Sequence, residues 1–159
     1  MARWDERGWL RLLTPLAWIY GLGWWLLQRW HRGSTWTAPV PVISVGNLSV
    51  GGTGKSPLVQ ALARRIKKAH LRPAVLLRGY RAAAGPRPLA VSLGAKTLTG
   101  PQASGDEAQE HARQKGVAVW IGPDRVRSAQ AAIEAGAQAL ILDDGFQRRY
   151  QLARDLDLL

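Results

Sequence analysis

A chain of 159 residues, 47% hydrophobic and 21% charged, is long enough for one compact domain with a sizeable core and too apolar for wholesale disorder. It has no cysteine, which excludes disulfide frameworks and thiolate metal sites together and fits a reducing compartment. A formal charge of +11, from 22 Lys and Arg against 11 Asp and Glu, favours anionic partners such as phosphorylated substrates or lipid head groups, while the absence of any nucleic-acid motif argues against DNA or RNA.

Seven of the eight tryptophans lie in the first 36 residues, at Trp4, Trp9, Trp18, Trp24, Trp25, Trp30 and Trp36. Within them the sixteen residues 12–27 carry no charge, and Arg7, Arg11, Arg29 and Arg32 flank the run. Trp and Tyr favour the membrane–water interface and Arg snorkels to head groups. A spanning helix needs about 20 apolar residues, and Pro15, Gly21 and Gly23 weaken a long one. Asp5 and Glu6 and the lack of an A-x-A site argue against a signal peptide. A helix packed on the domain itself is one alternative. The preferred expectation is an N-terminal hydrophobic anchor, residues 1–36 with its connector, that dips into or marginally spans a membrane from the cytoplasmic side.

Residues 37–159 then alternate as strands and helices. The β-branched run 40–45 reads as a strand ending at Gly46. Residues 57–68 read as an amphipathic helix with Leu58, Leu62 and Ile66 inward and Arg64, Arg65, Lys67 and Lys68 outward. Pro73–Leu77 is a buried strand, and Leu89–Leu93 is a short one inside a Gly-, Ala-, Pro- and Ser-rich stretch. A helix at 107–115 and a strand at 117–121 follow. Asp124 is placed to cap a helix at 125–135 that Gly136 stops. A strand at 139–142 and the opening of another at 155–159 complete the chain. This alternation predicts an α/β fold with a mostly parallel sheet covered on both faces.

The chemistry concentrates in Val45-Gly46-Asn47-Leu48-Ser49-Val50-Gly51-Gly52-Thr53-Gly54-Lys55-Ser56. Between a strand and a helix, such a loop turns backbone N–H groups inward around phosphates, and the helix N-terminus adds its positive dipole end. Lys55 is placed for the β- and γ-phosphates and the Ser56 hydroxyl for Mg²⁺. Ser49 stands where the standard pattern has its leading glycine, and Gly51 and Gly52 supply flexibility instead. Arg78, at the end of a strand, is placed for phosphate charge or is a plain surface arginine. Asp106 and Glu107 are a helix cap and first-turn acid in the simplest reading, and a general base in the chemical one. Asp143 and Asp144 end an apolar strand, where an acid pair meets Mg²⁺. The three histidines, His31, His70 and His111, have no metal-ligand spacing and no chemistry is expected of them.

Five ordered motifs resemble one family, the tetraacyldisaccharide 4′-kinases of lipid A biosynthesis. They are the run from Ser44 through Ser56 to Pro57; Arg78-Gly79-Tyr80; Gly105-Asp106-Glu107; Gly122-Pro123-Asp124-Arg125-Val126; and Leu142-Asp143-Asp144-Gly145-Phe146-Gln147, with Arg154-Asp155-Leu156-Asp157 after them. The resemblance implies a P-loop NTPase-like domain behind a membrane anchor. Its activity would be transfer of the ATP γ-phosphate, with Mg²⁺, to the 4′-hydroxyl of a lipid disaccharide 1-phosphate, at the cytoplasmic face of a bacterial inner membrane. By position, Ser49, Val50, Gly51, Gly52, Thr53, Gly54, Lys55 and Ser56 would cradle ATP. Asp106 would be the base, with Lys55 and Arg78 on the phosphates, and Glu107, Asp143 and Asp144 would join Ser56 around the metal. An anionic membrane surface is the expected second partner, and no protein partner is evident. The family's Pro after Gly-Asp-Glu is Ala108 here, and its His after Phe-Gln is Arg148. The resemblance covers only the first half of a family member, so a truncated form is expected, without the second-half histidine that partners the base. The alternative is a membrane-associated regulatory P-loop ATPase, whose signature lysine would stand at Val50.

Overall fold

The computed structural model describes residues 18, 20–23, 25–26, 35–46, 55–79, 85, 87–143 and 151–158. The phosphate loop proper (49–54) and Tyr80, Asp144, Gln147 and Arg148 lie outside that set. The chain forms two compact units, Met1–Thr35 and Trp36–Leu159. In the first unit Trp18, Tyr20, Leu22, Trp25 and Leu26 are helical and exposed. Among the described residues no helix is long and apolar enough to cross a membrane, so the expected spanning anchor has no support in the fold. The physical reason is length: a run of sixteen uncharged residues falls short of the about 20 that a spanning helix needs.

The second unit runs β1 (Val42–Val45), α1 (Lys55–Lys68), β2 (Pro73–Leu77), β3 (Leu89–Leu93), α2 (Pro101–Ser104), α3 (Asp106–Ala112), β4 (Ala118–Ile121), α4 (Arg125–Glu134), β5 (Ala139–Asp143) and β6 (Leu156–Leu158). The six strands lie in the order β3-β4-β2-β5-β1-β6. All pairs are parallel except β3 with β4, which is antiparallel with a register shift between Ala90 and Ser92. The sheet is therefore mixed, and its antiparallel member sits at an edge, where a parallel sheet tolerates one.

Every residue of β2 and β5 is buried, as expected of central strands covered on both faces. Alternation divides their side chains between two cores. Val45, Val75, Leu77 and Ile141 pack with Val59 and Ala63 of α1 and Ala108 and Ala112 of α3. Val42, Ala74, Leu76, Leu140 and Leu142 pack on the other face with Ala129 and Ala132 of α4. On α1 the inward stripe is Val59, Leu62, Ala63 and Ile66; Leu62 and Ile66 face the core as expected, while Leu58 is exposed and Val59 and Ala63 widen the stripe instead. Arg65, Lys67 and Lys68 occupy its last turn, where cations favour the negative dipole end.

The helix α2 is an addition to the expected elements: its signal is Pro101 at the start of the helix behind Gly100. Asp124 caps α4 as expected, its Oδ1 accepting from the backbone N–H of Val126 (2.9 Å) and Arg127 (3.1 Å). Gly136, with φ 94°, turns the chain out of that helix. At the other edge Asp155 clamps β6 to β1 twice: its Oδ2 accepts from Val42 N–H at 2.7 Å and its own N–H donates to the Val42 carbonyl at 2.9 Å.

Replacing Asp124 by Ala is expected to lower unfolding free energy by about 1 kcal/mol in urea titrations, whereas Asp124→Asn, which still accepts from both N–H groups, should stay close to the parent.

Candidate active site at the carboxyl edge of the sheet

Parallel strands deliver their carboxyl ends to one edge, and that edge collects the acidic and basic residues that the sequence marks out. Register pairs Val45, the last residue of β1, with Asp143, the last of β5. The segment leaving β1 therefore starts beside a carboxylate, and the next described residues, Lys55 and Ser56, open α1 and are both half-buried. Helix α1 packs across β5, β2 and β1, which holds its N-terminal turn over the same edge. Arg78 follows directly on β2, next to β5, and its side chain is exposed.

Asp106 and Glu107 stand on a separate element, α3. Helices α2 and α3 meet at Gly105, which closes one and opens the other with φ 80° and ψ 161°, a conformation that a side chain disfavours. The N-cap position is thus taken by glycine, and Asp106 is the first helical residue instead of the cap. Both acids are exposed. The turn that carries them is braced by side chains: Ser104 Oγ donates to the Gly100 carbonyl at 2.9 Å, and Gln109 Nε2 donates to the Thr99 carbonyl at 2.6 Å and to Ser104 Oγ at 2.7 Å. Ala108, where the family pattern has proline, is buried in the core and continues the helix without strain.

Asp143 is 2% exposed and held at two points. Arg125, itself buried, donates from Nη2 to the Asp143 carbonyl at 2.8 Å. His111, 0% exposed, lies with Nε2 3.0 Å from Asp143 Oδ2. In the tautomer with the proton on Nε2 the carboxylate oxygen accepts, and Nδ1 is buried without a partner among the described residues. Asp143 Oδ1 is buried without a hydrogen-bond partner among the described residues. A buried, unmatched carboxylate oxygen is costly, and at the carboxyl end of a central strand it fits a cation better than any protein donor in view. The described residues contain no cluster of three or more His, Asp or Glu able to enclose a metal, so Asp143 can be only one member of a set completed by other groups.

The structure thus brings Lys55, Ser56, Arg78 and Asp143 to one edge and joins α3, with Asp106 and Glu107, to that edge through His111. Ser49, Val50, Gly51, Gly52, Thr53, Gly54 and Asp144 lie outside the described residues. His111, of which ligand spacing predicts nothing, is the residue that sequence reasoning missed. The available signal was its place on the inward stripe of α3 with Ala108 and Ala112, where a polar side chain must find a partner.

Comparison with known proteins gives a consistent set of matches. A family model described as tetraacyldisaccharide-1-P 4'-kinase matches residues 9–159. A tetraacyldisaccharide 4'-kinase of Halorhodospira halophila is 42% identical over 153 residues, covering 94% of this chain and 45% of the relative. One from Anaeromyxobacter sp. is 50% identical over 124 residues, covering 77% of this chain and 32% of the relative. The crystal structure of "apo" form LpxK from Aquifex aeolicus in complex with ATP superposes with a TM-score of 0.78 at 35% identity, over 92% of this chain and 47% of that one. The chain spans about half the length, or less, of the relatives it matches.

Removing the buried guanidinium with Arg125→Met is expected to cost about 1.5–3 kcal/mol in urea unfolding, the range for a hydrogen bond from a charged donor.

Proposed function

This chain belongs to the tetraacyldisaccharide-1-P 4'-kinase family, and from that premise we propose that it forms the ATP-binding part of a kinase that phosphorylates the 4′-hydroxyl of a tetraacyldisaccharide 1-phosphate in lipid A biosynthesis. The observation that carries the reading is the Val45–Asp143 register, which sets the start of a glycine-rich loop and a buried carboxylate side by side, with Lys55 and Ser56 opening the next helix. The ATP in the Aquifex aeolicus structure supports the same nucleotide here.

In this reading the backbone of Ser49, Val50, Gly51, Gly52, Thr53 and Gly54 cradles the phosphates, and Lys55 balances charge on the β- and γ-groups. Asp106 accepts the proton of the 4′-hydroxyl as its oxygen bonds to the γ-phosphorus. The bond from that phosphorus to the β–γ bridging oxygen breaks, and ADP leaves. Arg78 offsets the charge that spreads over the transferring group. Ser56 and Asp143, with Asp144 and Glu107, would hold Mg²⁺, and the unmatched Asp143 Oδ1 fits that role. When bound, Mg²⁺ neutralises charge shared between the β- and γ-phosphates.

The acceptor is lipid-bound, and the N-terminal unit suits an interfacial seat on the cytoplasmic face of the inner membrane. Trp18, Leu22 and Trp25 are spaced four and three residues apart and line an apolar groove with Gly21. In the second unit α1 adds exposed Arg64, Arg65, Lys67 and Lys68, which suit anionic head groups.

Two measurements test these assignments. With the intact protein in detergent micelles, label from γ-³²P ATP should appear on a lipid disaccharide 1-phosphate. Asp106→Asn should slow transfer about 10²–10⁴-fold while ATP binding is kept. ATP hydrolysis without lipid labelling would put the regulatory ATPase in its place. In vesicle flotation, replacing both Trp18 and Trp25 by Ser should release the protein from phosphatidylglycerol-containing vesicles, and unchanged flotation would remove the interfacial role of this face.

A further inference from the structure

We propose that His111 is a positioning residue that aims the Asp143 carboxylate at the cation accompanying the nucleotide. The inference rests on the proposed role of Asp143 and extends it to a residue to which no function is assigned by the motifs. His111 occupies the inward face of α3, where Ala108 and Ala112 show that an apolar side chain would pack without penalty. An imidazole there brings two polar nitrogens into a core and needs a compensating contact. It makes one, from Nε2 to Asp143 Oδ2 at 3.0 Å, between side chains that are both almost wholly buried.

The consequence falls on Asp143. A terminal carboxylate at the end of a strand rotates about χ2 over a broad, roughly two-fold well, so either oxygen can face the site. The hydrogen bond from His111 to Oδ2 removes that freedom, and the Arg125 contact to the Asp143 carbonyl holds the backbone beneath it. Oδ1 is left as the oxygen without a partner among the described residues. A ligating carboxylate fixed through its second oxygen by a buried donor is the usual outer-shell arrangement, and loss of such a donor weakens metal affinity without touching the metal.

The same contact couples two parts of the proposed machinery. His111 stands five residues after Asp106 on one short helix, about 7.5 Å along its axis, so the helix bearing the proposed base is tied to the strand bearing the proposed ligand. A hydrophobic residue at position 111 would leave the buried Asp143 Oδ2 without its partner and both the carboxylate rotamer and this tie undefined.

The test uses the intact protein and Mn²⁺ as the probe, followed by electron paramagnetic resonance with a non-hydrolysable ATP analogue present. His111→Leu is expected to weaken Mn²⁺ affinity about 10–100-fold, while binding of the analogue without metal stays within about two-fold. His111→Gln, whose amide nitrogen reaches the position of Nε2 and still donates, should recover most of the affinity. His111→Asn, whose donor stops short, should not, and the Gln–Asn contrast decides the matter even where the Leu variant fails to fold. Unchanged Mn²⁺ affinity in His111→Leu, or equal losses in the Gln and Asn variants, would overturn the positioning role. Asp143→Asn separates this from the reading beneath it. If that variant also binds Mn²⁺ normally, the assignment of Asp143 to the cation has failed. If it alone is weakened, only the role of His111 has.

Discussion

The pairing of β1 with β5 is the constraint on which the rest of this protein depends. Both strands run in one direction and neither can be reached from the other by a tight turn, so helices and strands must be laid over and beside them to make the connection. Their register sets Val45 opposite Asp143 and thereby chooses where the glycine-rich segment leaves the sheet. A shift of β5 by one residue would turn Asp143 to the face of α4 and carry Ile141 out of the core it shares with Val45 and Val59. β5 is buried on both faces, so what resists such a slip is Asp143, whose carboxylate would lose its contact with His111.

Around that pairing the protein accepts a polar cluster inside an otherwise apolar layer. Asp143, His111 and Arg125 are all buried, and each would be unfavourable alone. Together they satisfy the Asp143 carbonyl and one carboxylate oxygen, while the second oxygen and His111 Nδ1 stay unmatched among the described residues. A group left in that state within a native fold is more readily understood as a binding element than as a stabilising one, since an apolar substitute would stabilise the core better. The cluster therefore links stability and chemistry: the same contacts that make Asp143 tolerable also leave it oriented.

The connection between α2 and α3 solves a related problem at the surface. Two helical segments abut at one residue, and the positive φ at Gly105 lets the chain change direction there without a side chain in the way. The Ser104 and Gln109 bonds hold the turn, so Asp106 and Glu107 emerge at the start of a helix whose other face is anchored in the core. Exposed acids on a braced helix keep a defined position without being buried, which suits groups that must meet a substrate arriving from outside.

Much of this was legible in the amino-acid order, and the boundary of legibility is physical. Residues 73–77 and 89–93 form strands with the bounds that their apolar runs imply, Asp124 caps the helix it precedes, and the loop before Lys55 lies between a strand and a helix as the phosphate motif demands. Those features depend on contacts a few residues apart, which composition and spacing encode directly. On the inward face of α1 Leu62 and Ile66 fall where the pattern puts them and Leu58 does not, because Leu58 and Val59 are both apolar and only the sheet beneath selects between them. The antiparallel placement of β3, the neighbours of β5, and the meeting of His111 with Asp143 across 32 positions of sequence were decided by tertiary structure alone. Long-range pairing depends on which surfaces are left to be covered once the local elements exist, and no local pattern carries that information.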